Sequence, residues 1–362
     1  MADMNKISVG VIGYGYWGPN LVRNFSACHH TQATVVLDAS PARRAAAEKM
    51  FPHVRTVATL PELLDAGLDA VAIATPVATH YPLAKECLEA GLHVLVEKPL
   101  ADSVEHAEAL VQVAAAHQRV LMVDHTYLFS APVRRMKQLI EHDELGELYY
   151  VDSIRINLGL FQSDVNVIWD LAPHDLSIVD YILGHAPRSI SAWGCAHTPS
   201  GIEDMAYVNM DYGDQLMANF HVNWMSPVKV RQMIFAGAKK SLIFNELNVT
   251  EPIKIFDRGI ELEQSEANRK LQVGYRTGDV WSPYVESKEA LQTMATHFAE
   301  CIQTGATPLS DGHLGARIVR YLETATRSIR AQGGRIVMPT PPNGTAHVPV
   351  ARGELLAHSA GR

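Results

Sequence analysis

The sequence predicts an α/β protein with a second, α+β part: a doubly wound parallel sheet first, then a domain built on a large, mostly antiparallel open sheet. Two observations predict the first half. Short apolar runs alternate with helical patterns over the first 125 residues, and a Gly-x-Gly-x-x-Gly turn directly follows the first run. A third predicts the second half. After about Asp124 the rhythm changes to longer strand-like runs, with helices in blocks.

The parallel strands are expected at Ile7–Ile12, Thr34–Leu37, Ala70–Ala74, His93–Val96 and Val120–Val123. Each is short and rich in Val, Ile and Leu, as strands buried on both faces are. Between them lie helices. Pro41–Met50 has proline in its first turn behind Ser40, Thr79–Ala90 stops at Gly91, and Ser103–His117 is alanine-rich behind a serine cap.

Past Asp124, a helix over Ala131–Glu141 leads to Gly146. Strands are expected at Tyr149–Asn157, Ser189–Trp193, Met205–Met210, Gln215–Asn223, Lys229–Ala236 and Lys240–Asn245, with Gly-Asp and Gly-Ala turns between some of them. A helix over Val167–Leu183 interrupts the sheet, and helices over Tyr284–Thr304 and Gly312–Gln332 follow it. The expected division is 1–125 for a cofactor, 126–339 for substrate and subunit contact, and a mobile tail over 340–362, rich in Pro, Gly, Ala and His.

Composition narrows the function. The 362 residues are 47% hydrophobic and 19% charged, with a net charge of −8. That balance fits a globular chain with no broad basic face, so nucleic acid is not an expected partner. No apolar run reaches the roughly 20 residues of a membrane span, and no signal peptide is expected. The four cysteines Cys28, Cys87, Cys195 and Cys301 form no Cys-x-x-Cys pair. They suggest neither a disulfide framework nor a cysteine zinc site, and a cytoplasmic setting is expected.

Gly13-Tyr14-Gly15-Tyr16-Trp17-Gly18 is the first chemical signal. The first glycine permits a tight turn, the second lets the backbone approach a pyrophosphate, and the third lets helix and strand pack closely. The helix N-terminus then faces the phosphates. Asp38 ends the second strand twenty residues after Gly18, where a carboxylate accepts a ribose hydroxyl. Together these predict a Rossmann domain binding NAD, with Arg43 and Arg44 on the next helix leaving room for NADP. A plain βα turn with a solvated Asp38 is the blander alternative.

Glu97-Lys98-Pro99 directly after the fourth strand adds a more specific signal, as do Thr75-Pro76…His80 and Asp170-Leu-Ala-Pro-His174. In this order they resemble the Gfo/Idh/MocA oxidoreductases, over about residues 6–335. The resemblance implies His174 as acid/base, Lys98 as its electrostatic partner and Asp170 as orienter. It assigns Thr75, Pro76, His80, Glu97 and Lys98 to the cofactor side, with Gly13, Gly15, Tyr16, Trp17, Gly18 and Asp38, and it leaves open a cis bond before Pro99. One departure is that Asn166-Val-Ile-Trp169 replaces the glycine run that usually precedes the Asp, which implies a changed pocket wall.

These residues make chemical sense alone. The i, i+4 spacing puts Asp170 and His174 on one helix face. Histidine titrates near neutrality and can take a hydroxyl proton. Lys98 stands where ligands bind in open α/β sheets. Singly, each motif also reads as a surface pair or a loop exit.

Substrate contacts are expected from His125 and Tyr127, from Arg155 and Asn157, from Asn166 and Trp169, and from Tyr275, Arg276 and Trp281 in a polar, aromatic loop. Burial or a subunit interface would explain the same residues. Gly-Tyr-Trp-Gly-Pro-Asn, Asp-Leu-Ala-Pro-His-Asp and Tyr-Arg-Thr-Gly-Asp resemble the family's nucleotide-sugar branch. That implies oxidation of the 3-hydroxyl of a UDP-linked amino sugar or uronate, or reduction of a 3-keto sugar. Inositol or free-polyol oxidation is the alternative. NAD-dependent glycoside hydrolysis and a non-catalytic NAD sensor are more distant ones. A homodimer or homotetramer through the second sheet is expected, because helices cover only one of its faces.

Overall fold

The structure is a computed structural model that describes residues 6–159, 161–162, 164–264 and 271–339. The expected tail, 340–362, lies outside the described residues. The first unit runs β1 (Ile7–Ile12), α1 (Gly18–Ala27), β2 (Thr31–Leu37), α2 (Pro41–Met50), β3 (Arg55–Val57), α3 (Leu60–Leu64), β4 (Ala70–Ile73), α4 (His80–Glu89), β5 (His93–Glu97), α5 (Val104–Ala116) and β6 (Leu121–Asp124). The six strands are parallel, in the order β3-β2-β1-β4-β5-β6. That order reverses between β1 and β4, which opens a crevice at their C-terminal ends. Val9, Val11, Ala72, Ile73, Val94 and Val96 are fully buried, as helices on both faces require. β3 and α3 were not foreseen. Three residues with one buried position give β3 too little pattern to read.

The second unit continues with α6 (Ala131–Glu141), β7 (Leu148–Leu158), α7 (Val167–Leu183), β8 (Ser189–Cys195), β9 (Met205–Gly213), β10 (Leu216–Asn223), β11 (Met225–Gly237), β12 (Ser241–Asn245), β13 (Ile253–Gln264), β14 (Leu271–Trp281), α8 (Ala290–Thr304), α9 (Gly312–Arg330) and β15 (Ile336–Val337). Its nine-stranded sheet has the order β14-β13-β12-β11-β7-β10-β9-β8-β15 and is antiparallel except for β7 beside β10. α7 and α9 cover one face. α9 also packs on α5, and Ser310 bonds β6, so the second unit closes against the first.

Two expectations need correcting. Tyr275–Trp281 is not a loop but part of β14, an exposed strand paired with β13, and its polarity reflects that exposure. The helix expected from Tyr284 begins only at Ala290. Glu289 is held in an extended conformation as its cap, with its carboxylate on Arg23 and Asn24 of α1.

Candidate active site

The glycine turn lies at the C-terminal end of β1. A Cβ on Gly13 would stand 2.6 Å from Ala74 O, and the residue's φ is +95°, so only glycine fits. A Cβ on Gly18 would meet Gly13 O at 2.3 Å. Gly15 differs: the nearest atom to a Cβ there would be Arg43 Nη1, at 3.9 Å. The middle glycine therefore faces open space, as a cradle for a pyrophosphate must. Asp38 accepts the backbone N–H groups of Tyr14 and Ser40, both at 2.8 Å, and lies 3.6 Å from Arg43. Tyr16 is exposed, while Trp17 stacks against it and reaches Asp124 at 3.4 Å. These residues fit a dinucleotide.

Asp124 and Glu97 end adjacent strands in register. Burial pushes both carboxyls up, and each sits against the other. Glu97 accepts the backbone N–H of Lys98 at 3.2 Å, and Asp124 accepts from Thr126 and Trp17. His80 lies behind the loop that carries Lys98. It is buried, with Nδ1 2.8 Å from Pro99 O and Nε2 2.9 Å from Thr75 O, so it ties the loop after β4 to the loop after β5. Thr75 accepts from Thr79, and Pro76 opens the turn between them. The Lys98–Pro99 bond is cis.

Lys98 Nζ donates to Asp170 O at 2.6 Å and lies 3.4 Å from its Oδ1. The other carboxylate oxygen accepts from Trp224 Nε1 at 2.9 Å. Asp170 thus holds Lys98. It makes no hydrogen bond to His174 among the described residues, so it does not orient the ring as expected. His174, one turn along α7, meets Tyr127 edge to face at 5.1 Å, and its buried Nδ1 has no partner among the described residues. Burial, reinforced by the Lys98 and Arg155 charges, holds His174 well below the ordinary histidine range. The ring is therefore uncharged at neutral pH. His125 lies within its field; burial pushes it down to about 3, and neither ring nitrogen has a partner among the described residues.

Beneath these residues lies an ion-pair network. Arg155 is 3% exposed and gives Nε and Nη2 to Asp175, at 2.7–3.0 Å. Its Nη1 lies 3.1 Å from Glu246 and 3.4 Å from Tyr127 Oη. Arg231 Nη1 meets the same two partners, at 2.5 and 3.5 Å. Arg155 is therefore occupied inside the protein by Asp175, Glu246 and Tyr127. Asn157 stands beside Trp224 with its Oδ1 buried and without a partner among the described residues.

Asn166 and Trp169 stand at the start of α7, with Trp169 turned toward α9. Asn166 caps α7 and donates to Glu203, and Trp169 donates to Thr326 at 3.0 Å. Both line a cleft of about 680 Å³ whose lining includes none of Lys98, Asp170 and His174. Tyr275, Arg276 and Trp281 are not brought to the site. β14 lies four strands from β7, roughly 19 Å away at normal strand spacing. Arg276 pairs there with Asp257 and the Lys239 carbonyl.

Trp224, Arg231 and Glu246 were missed. Two of them carry a readable signal. Trp224 continues the inward series Ala218, Phe220, Val222, and Arg231 shares the inward parity of Met233 and Phe235. A polar residue on an apolar face marks a site. Glu246 lies just beyond β12 and carries no such signal.

A dinucleotide cradle facing a lysine–aspartate pair and a neutral histidine defines an NAD-dependent oxidoreductase. Comparison agrees. Residues 7–125 match the oxidoreductase-family NAD-binding Rossmann fold, and residues 133–243 match the GFO/IDH/MocA C-terminal domain. The chain belongs to the Gfo/Idh/MocA oxidoreductase family. It is 28% identical over 260 residues to a UDP-N-acetylglucosamine 3-dehydrogenase from Acidithiobacillus ferrooxidans, covering 71% of this chain and 79% of the relative. A solved structure of that enzyme superposes with a TM-score of 0.77 at 26% identity, over 91% of this chain and 99% of the other. An inositol 2-dehydrogenase from Rhizobium meliloti is 24% identical over 349 residues, 89% of this chain and 97% of the relative. Among the described residues no helix is long and apolar enough to cross a membrane.

Proposed function

We propose that the chain transfers a hydride between NAD(H) and the 3-position of a nucleotide-linked sugar or uronate. The observation that carries this reading is the Lys98–Asp170 pair at the C-terminal edge of the parallel sheet, facing a neutral His174. NAD, when bound, supplies the hydride acceptor or donor. Lys98 donates to the reacting oxygen and stabilises charge developing there, and His174 takes the hydroxyl proton. Asp170 holds Lys98, and Trp224 holds Asp170. The UDP-N-acetylglucosamine 3-dehydrogenase relative supports the choice of the 3-hydroxyl. The inositol 2-dehydrogenase relative, which spans more of the chain, favours a second reading, oxidation of a free polyol.

In this reading residues 1–125 hold the cofactor, and residues 126–339 supply substrate contacts and a subunit interface. The uncovered face of the large sheet exposes Trp193, Tyr207 and Met217, an apolar surface suited to a second copy of the chain.

NADH absorbance followed over a panel of UDP- and dTDP-sugars, uronates and inositols tests the proposal. NADH formation with a nucleotide sugar supports it, and turnover of inositols alone selects the second reading. Release of free sugar without net NADH would sink both. His174→Ala should lower kcat about 10²- to 10⁴-fold while leaving NADH affinity near normal.

A further inference from the structure

We infer that Arg231 reads a substituent of the sugar, its guanidinium taking an acceptor oxygen, an acyl carbonyl or a carboxylate, carried on the ring that reacts at His174. The inference rests on the sugar-dehydrogenase reading above and names the substrate class for that same site.

Arg231 on β11 stands directly opposite Arg155 on β7. Both guanidiniums meet Tyr127 Oη and Glu246, but their remaining donors differ. Arg155 spends Nε and Nη2 on Asp175 and is closed off from solvent. Among the described residues the Arg231 guanidinium makes its hydrogen bonds and ion pair through Nη1 alone, and its side chain is 25% exposed. Its Nε is buried and has no partner among the described residues. That nitrogen is closed off from solvent and Nη1 is taken by Tyr127 and Glu246, so the donors left to meet a ligand oxygen are those of Nη2.

Tyr127 ties this donor to the chemistry. Its hydroxyl meets Arg231, and its ring lies 5.1 Å from the His174 ring. An oxygen held by Arg231 is thus one tyrosine away from the base. The neighbouring acids are already engaged: Asp170 by Lys98 and Trp224, Asp175 by Arg155, and Glu246 by both arginines. The open charged donor therefore asks for an acceptor, not for an ammonium group. A planar fork of N–H groups matches a carbonyl or carboxylate better than a lone hydroxyl. A site built around such a donor discriminates against a ligand that lacks its partner.

The test compares kcat and KM for UDP-N-acetylglucosamine, UDP-glucuronate and UDP-glucose in the wild type, Arg231→Gln and Arg231→Lys. The wild type should prefer one of the first two over UDP-glucose by at least about tenfold in kcat/KM, and which one tells an acyl from a carboxylate oxygen. Arg231→Gln should lower that substrate's kcat/KM about ten- to hundredfold, chiefly through KM, and leave UDP-glucose within a few-fold. Arg231→Lys, which keeps the charge without the fork, should recover part of the preference and carries the test if the glutamine variant does not fold. An equal fall on all three substrates, or no wild-type preference, would overturn the inference while leaving the sugar-dehydrogenase reading standing. Turnover of none of the three, with inositols oxidised, would overturn both.

Discussion

Trp224 donates its indole N–H to Asp170 Oδ2 at 2.9 Å, from the bend between β10 and β11 to the first turn of α7. That bond locks the carboxylate whose other oxygen and backbone carbonyl face Lys98. The lysine's position thus depends on a residue in the second unit. Trp224→Phe keeps the ring and removes the donor. Hydrogen bonds to charged groups contribute about 1.5–3 kcal/mol, so kcat should fall roughly ten- to hundredfold. NADH affinity, measured by fluorescence titration, should stay within a few-fold.

Arg155 is a support, and its removal should read as instability. Arg155→Met leaves Asp175 buried without its partner, a loss of about 3–5 kcal/mol. Urea denaturation should show a clearly lower midpoint. Full stability with a raised KM would instead return Arg155 to the substrate.

Asp38 sits where a ribose hydroxyl would be read, with Arg43 beside it. Asp38→Ala removes a charged acceptor and leaves the arginine free for a 2′-phosphate. The NAD-over-NADP preference in kcat/KM should drop by about tenfold or more. An unchanged ratio would mean that Asp38 serves only the backbone of Tyr14 and Ser40.

Acid should unfold this protein early. Burial holds His80, His93, His125, His174, His221 and His297 below the ordinary histidine value, with His93 at about 4 and His125 at about 3. Between pH 6.5 and pH 4 the unfolded chain binds protons, at His93 and His125 in particular, that the folded chain refuses. Stability is therefore full above pH 6.5 and is lost as pH falls, by about 1.4 kcal/mol per pH unit for each such proton. Glu97 and Asp124, raised by burial, act in the opposite sense, but they are outnumbered. Tm should fall steadily from pH 7 to pH 4 in differential scanning calorimetry. A flat Tm would contradict the burial of these rings.

The parallel half was legible because its strands are short, apolar and punctuated by helix signals, and because Gly13 and Gly18 have no steric substitute. Lys98, Asp170 and His174 were legible as motifs, but their pairing was not. Spacing on α7 suggested that Asp170 serves His174, whereas the carboxylate turns to Trp224, 54 residues away in sequence. Local spacing cannot report a contact between a helix and a residue so far along the chain. β14 failed for a related reason. An exposed edge strand has no buried face to impose alternation, so Tyr275–Trp281 read as a loop.

The central claim is that hydride leaves C3 of the sugar as His174 takes the hydroxyl proton. A UDP-N-acetylglucosamine carrying deuterium only at C3, incubated with NAD and this protein, tests it directly. Mass spectrometry of the cofactor should find one deuterium in each reduced nicotinamide, and His174→Ala should slow its appearance at least a hundredfold. Reduced cofactor without deuterium, or the same rate in the variant, would contradict it.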